Sequence, residues 1–108
     1  NENILEWASE EFWIPYLDPT TNRVRRYFPD FFIKYKDKDS NIRRSVIEVK
    51  PMRETLEPKV TKGKSRKTMI NESLTYVKNQ AKWKAAKEFC ADRKLEFKIM
   101  TEKELGIR

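Results

Sequence analysis

Histidine is absent from the 108 residues, which removes His-based general acid or base catalysis, His-metal sites and Ser-His-Asp triads. Cysteine occurs once, as Cys90, so the chain holds no intrachain disulfide and no cysteine-built zinc site. That residue reads as a small buried apolar side chain in a reducing compartment. No apolar run approaches the roughly 18 residues of a membrane span, and no signal peptide is visible. Internal repeats and low-complexity segments are missing too.

What remains is basic and foldable. Lys and Arg number 24 against 17 Asp and Glu, a formal charge of +7. Such an excess favours a polyanionic partner, because each phosphate neutralised by Lys or Arg releases condensed counterions. Apolar residues make up 38% of the chain, with three Trp, four Tyr and six Phe, which argues for a folded domain and against a disordered basic tail. The length suits one domain, residues 1–108, with one core.

The pattern of residues divides the chain into short elements. Ile4-Leu5-Glu6-Trp7 is a short amphipathic opening, and Glu11 to Tyr16 reads as a strand with Pro15 suited to its edge or end. Asp18-Pro19-Thr20-Thr21-Asn22 is turn chemistry. Arg23 to Tyr35 forms a second strand region in which Pro29 marks a bulge or kink. After a polar loop at 36–41, Ile42 to Lys50 forms the third strand, stopped by Pro51. A long basic connection, 51–67, is expected to be irregular and mobile without its ligand. From about Thr68 to Arg93 the spacing turns helical, with Ile70, Leu74, Val77, Ala81, Ala85 and Phe89 recurring at threes and fours. A strand at Leu95 to Met100 follows, so strand, crossover helix and strand imply a right-handed parallel connection that sets the last strand beside the third. Thr101-Glu102-Lys103-Glu104 fits a capping box opening a final short helix.

The chemistry concentrates between residues 29 and 50. In a strand, side chains two apart share a face, so Glu48 and Lys50 project together while Ile47 and Val49 turn into the core. Both charges then converge beside Asp30. Two carboxylates can hold a hard divalent cation through oxygen ligands, and a nearby lysine can orient or help deprotonate an attacking water. A cross-strand salt bridge on a solvated sheet face is the plain alternative.

Pro29-Asp30, Glu48-Val49-Lys50 and the order of elements together resemble the PD-(D/E)XK nuclease superfamily, whose restriction-endonuclease-like core runs α-β-β-β-α-β. Arg26-Tyr27-Phe28-Pro29-Asp30-Phe31, Ile47-Glu48-Val49-Lys50-Pro51, Asn79 to Ala86 and Thr101 to Leu105 are similar to segments of the head-completion nucleases of tailed phages, a group related to the nuclease subunit of Tn7-type transposase. The resemblance implies an α/β fold: a mixed sheet with antiparallel hairpins, a crossover helix and a final parallel strand. It also implies Mg²⁺ or Mn²⁺ as cofactor, held by Asp30, Glu48 and the Val49 carbonyl, with Lys50 positioning water and stabilising charge on phosphorus. Gln80 stands on the crossover helix where the family places a polar residue near the active site; a solvated helix residue is the alternative. Trp83 is read as packing more than as a base platform. The group also carries a glutamate on a helix before the first strand. Only eleven residues precede Phe12, so that helix is expected to lie upstream of Asn1, or Glu10 or Glu11 to substitute for it, or the site to be incomplete.

A track for DNA phosphates is expected from Arg26, Lys62, Lys64, Arg66, Lys67 and Lys82. No base-reading module is visible, so backbone contacts should dominate over sequence readout. The resulting expectation is a metal-dependent DNA endonuclease working late in phage assembly, in the host cytoplasm or with the virion. Compatible partners are a second copy of the chain and phage head or neck proteins. A structural DNA-end-binding protein of the same fold is the rival reading, and an RNA-binding module a weaker third.

Overall fold

The structure, a computed structural model, describes residues 4–8 and 12–106. Its elements run β1 (Ile4–Ala8), β2 (Ile14–Asp18), β3 (Arg23–Tyr27), β4 (Phe31–Lys36), β5 (Ile42–Val49), α1 (Met52–Thr55), α2 (Arg66–Asp92), β6 (Glu96–Met100) and α3 (Glu102–Leu105). Four strands form a mixed sheet in the order β1-β4-β5-β6, and β2 and β3 form a separate hairpin. β5 pairs antiparallel with β4 and parallel with β6, which bears out the crossover. This is the mixed α/β architecture of the restriction-endonuclease-like fold.

Pro29 does more than kink a strand. Residues 23–35 split there into β3 of the hairpin and β4 of the main sheet, because proline supplies no N–H to continue a ladder. The 19–22 turn is as expected: Asp18 accepts from both the N–H (2.9 Å) and the hydroxyl (2.6 Å) of Thr20. Asn22 takes a φ of 58°, a left-handed conformation that asparagine tolerates.

Two sheet faces follow from the register. Val46 pairs with Phe97 and Glu48 with Ile99, and Phe97 and Ile99 pack against the core of Ile14, Tyr16, Tyr27, Trp83 and Ala86. Paired positions in a ladder share a face, so Val46, Glu48 and Lys50 look toward α2 and the hairpin. Ile47 and Val49 belong to the opposite face, with Ser45, whose hydroxyl donates to Glu96 at 3.1 Å. The expectation that Ile47 and Val49 turn into the main core is therefore corrected. Ile47 is buried, but on the far side of the sheet, and the acid is the residue that enters the core-facing side.

α2 departs from its expected face as well. Its buried residues are Asn79, Trp83, Ala86 and Cys90, while Ile70, Leu74 and Val77 are 52%, 45% and 42% exposed. Nine residues separate Ile70 from Asn79, about two and a half turns, so the two stripes lie on opposite sides of the helix. Ala81, Ala85 and Phe89 still pack partly against the core. The first half of α2 carries none of these buried positions.

The connection 51–67 is shorter than expected, since α1 occupies Met52–Thr55 and α2 begins at Arg66. Ser65 is the N-cap, its hydroxyl accepting from the Thr68 N–H at 3.1 Å, so Arg66 and Lys67 stand in the first turn of a helix. The capping box at Thr101 is present, with its hydroxyl accepting from Lys103 N–H and the Glu104 carboxylate accepting from Thr101 N–H. α3 in turn fixes α1, because the Glu102 carboxylate accepts from Met52 N–H at 3.1 Å.

Candidate functional site

Lys50 N–H donates to Met100 C=O at 3.0 Å, so β5 stays paired with β6 as far as Lys50. Backbone groups alternate sides along a strand, which turns the N–H and C=O of Val49 the other way, toward the β4 edge. There the ladder has ended: its last pair is Phe31 with Ile47. The side chain of Asp30 fills the gap, its Oδ2 accepting from Val49 N–H at 2.7 Å. The same alternation directs the Val49 carbonyl to the side on which Asp30 lies.

Glu48 sits on the core-facing side at 6% exposure. Burial pushes its pKa up, and the nearby Asp30 carboxyl adds to the rise, while Tyr27 and Lys50 oppose it. Tyr27 is the neighbour that sequence reasoning missed. Its hydroxyl is buried and short of a full hydrogen bond among the described residues, and burial followed by the Glu48 charge raises the phenol's pKa. The available signal was its place on the inward face of β3, in register with Ile14, three residues before Asp30.

Lys82, expected as a phosphate contact, lies close to this site. Its ammonium lies 5.9 Å from the ring centres of both Tyr16 and Tyr27, a cation over two aromatic faces. Burial lowers its pKa first, and Lys50 lowers it further, against the pull of Glu48. Asp30, Glu48, Lys50 and Lys82 therefore form one cluster of two acids and two amines.

Other expected residues are placed elsewhere. Gln80 is exposed on α2 and lines a cleft with Met52, Trp83 and Lys84. Arg26 lies over the Trp13 ring at 4.8 Å, on the hairpin face opposite Tyr27 by strand alternation. Lys64 is engaged with Glu72 at 2.8 Å and with the Lys59 carbonyl at 3.3 Å. Lys62, Arg66 and Lys67 are exposed. Glu10 and Glu11 lie outside the described residues.

Two carboxylates and a main-chain carbonyl make an all-oxygen donor set. Among the described residues no cluster of three or more His, Cys, Asp or Glu forms a metal site. The pair still fits a hard cation of the Mg²⁺ type, which keeps several waters and binds through one or two carboxylates plus substrate phosphate. Two acids pressed together with one of them buried is a charge arrangement that a divalent cation relieves.

Comparisons with known proteins identify the family. The family model described as TnsA-like endonuclease N terminal matches residues 1–102. The head completion nuclease of Enterobacteria phage T4 is 36% identical over 105 residues, which covers 94% of this chain and 67% of the T4 protein. No solved structure matches significantly. Among the described residues no helix is long and apolar enough to cross a membrane.

Proposed function

The chain belongs to the TnsA-like endonuclease N-terminal family, and from that premise we propose that it is a Mg²⁺- or Mn²⁺-dependent DNA endonuclease. The observation that carries the reading is the Asp30 carboxylate seated on Val49 N–H at 2.7 Å, which holds one acid beside Glu48 at the end of a paired strand. In this reading Asp30, Glu48 and the Val49 carbonyl hold the divalent ion. When bound, that ion polarises the scissile phosphate and lowers the pKa of water.

The chain's own groups do the rest. Lys50, on the same strand face as Glu48, orients the attacking water and meets the charge that grows on the phosphoryl oxygens. Lys82 supplies a second positive charge within the cluster, held by the Tyr16 and Tyr27 rings, and contacts a phosphate there. Lys62, Arg66 and Lys67 extend the contact to neighbouring backbone phosphates. Head completion, the task for which the T4 relative is named, is the stage at which this chain would trim DNA.

The test is incubation of supercoiled plasmid with Mg²⁺ or Mn²⁺. Nicking by the wild type that is lost in Asp30→Asn and in Lys50→Ala supports the proposal. A mobility shift with no cleavage by the wild type would instead favour a structural DNA-end-binding protein. That second reading draws on the presence of two, not three, acids in the cluster among the described residues.

A further inference from the structure

Beside the acid pair lies a cleft of about 470 Å³, whose apolar lining the nuclease reading leaves without a role. Its floor is apolar, from Met52, Trp83 and Ile99, and its rim is polar and cationic, from Gln80, Lys84 and Lys87. The one acid that lines it, Glu104, is occupied by the Thr101 capping box. The cleft abuts the catalytic cluster through the sheet itself. Ile99 is the register partner of Glu48 on the neighbouring strand, about 4.8 Å away in the pairing direction, and Met52 follows Lys50 by two residues.

An intact duplex has little to offer such a space. Its base faces are covered by stacked neighbours and its outer surface is sugar and phosphate, which Lys84 and Lys87 would bind without any apolar floor. A base with no partner is different. It can swing out at small cost, and a concavity of this size falls in the range of roughly 300–1,000 Å³ typical of small-ligand sites. The lining suits such a guest, since Gln80 offers a hydrogen-bonding amide and Lys84 and Lys87 supply positive charge.

We propose that this cleft receives an unpaired nucleotide adjoining the phosphodiester to be cut, so that the preferred substrate is DNA with single-stranded character, such as a frayed end or flap. Met52 and Ile99 cover the base, Gln80 hydrogen-bonds its edge, and Lys84 and Lys87 hold the flanking phosphates. The proposal rests on the nuclease reading for its site, yet it concerns binding and is measured apart from hydrolysis.

The experiment uses the Asp30→Asn protein, in which cutting should be lost, and labelled duplexes that are either blunt or carry a single-stranded overhang, compared by fluorescence anisotropy in EDTA. The overhang should be bound about 10-fold more tightly, a factor within the range of contacts made by one unstacked base. Met52→Ala with Lys84→Ala should bring that ratio close to one. A 2-aminopurine placed at the first unpaired position should change its emission on binding, and should fail to do so in the double variant. Equal affinity for both DNAs, or a preference that survives in the double variant, overturns the proposal. Plasmid nicking by the wild type is scored separately, so loss of the cleft reading and loss of the nuclease reading give different results.

Discussion

Asp30 and Val49 are joined by a side chain that takes over where a ladder stops: the carboxylate accepts the N–H that β4 no longer reaches. One oxygen thus stabilises the strand end while the group as a whole stands beside Glu48. Structure and chemistry are coupled in a single residue, and they can be separated by substitution. Asp30→Asn keeps an oxygen for Val49 N–H, so its melting temperature should stay near that of the wild type while nicking falls by about 10²-fold or more. Asp30→Ala leaves the N–H unmatched and should cost an additional ~1–3 kcal/mol of stability. Thermal melts run beside plasmid assays separate the two effects; equal melting temperatures for Asn and Ala would refute the strand-end role.

The two stripes of α2 predict opposite outcomes for apolar substitutions. Trp83→Ala should cost about 3–5 kcal/mol, as expected for a large side chain taken out of a core. Leu74→Ser and Val77→Ser, on the exposed side, should stay within about 0.5 kcal/mol of the wild type. Urea denaturation of the three variants decides it, and a Leu74→Ser protein as unstable as Trp83→Ala would mean that the helix is turned the other way.

Glu48 makes stability depend on pH in a defined direction. Its pKa is raised by burial above the 4.5 of an exposed glutamate, so the folded state holds the proton more tightly than the unfolded chain does. The contribution is complete below the unfolded value and is lost as pH rises through the folded one. In EDTA, Glu48→Gln should therefore gain stability relative to the wild type as pH increases from about 4.5 upward. A difference that stays constant with pH would contradict a buried, shifted Glu48.

Cys90 should behave as an unreactive thiol. It is 1% exposed, and burial pushes its pKa up to about 11, leaving little thiolate at neutral pH. A thiol-specific chromogenic reagent should be released stoichiometrically in denaturant and only slowly under native conditions. Fast native modification would show that the C-terminal end of α2 opens readily.

Affinity for DNA should fall steeply with salt, with a slope in log-log form of about −0.9 for each phosphate contacted. Lys62→Glu together with Arg66→Glu should flatten that slope by about two contacts. Lys64→Ala should change it less, since Glu72 already holds that ammonium at 2.8 Å. Fluorescence titrations across a range of salt concentrations measure all three.

Much of this was legible in the sequence because local chemistry dictated it. Pro29-Asp30 and Glu48-Val49-Lys50 bring their charges together because strand alternation and one interruption of strand pairing at Pro29 suffice to do so, and the turn at 19–22 and the Thr101 box follow from residue types at fixed offsets. The face of α2 was not legible. Ile70, Leu74 and Val77 form a more apolar stripe than Asn79, Trp83, Ala86 and Cys90, but hydrophobic spacing does not record that the sheet and hairpin lie only along the second half of the helix. Tyr27 escaped for a related reason: its approach to Glu48 depends on how the hairpin folds over α2, a contact between elements far apart in the chain. The division of residues 23–35 between two sheets was invisible too, since both halves keep strand-like composition on either side of Pro29.

The alternation of β5 makes this cluster sensitive to length as well as to side-chain identity. Removing or adding a single residue between Asn41 and Glu48 would shift the pairing by one position. The acid and the amine would then emerge on the far surface, and Ile47 and Val49 would take their places next to Tyr27. Every residue type would survive such a change, and hydrolysis would not; the loop at 37–41, with Asp37 accepting from Asp39, Asn41 and Arg43, therefore protects the chemistry by fixing a count.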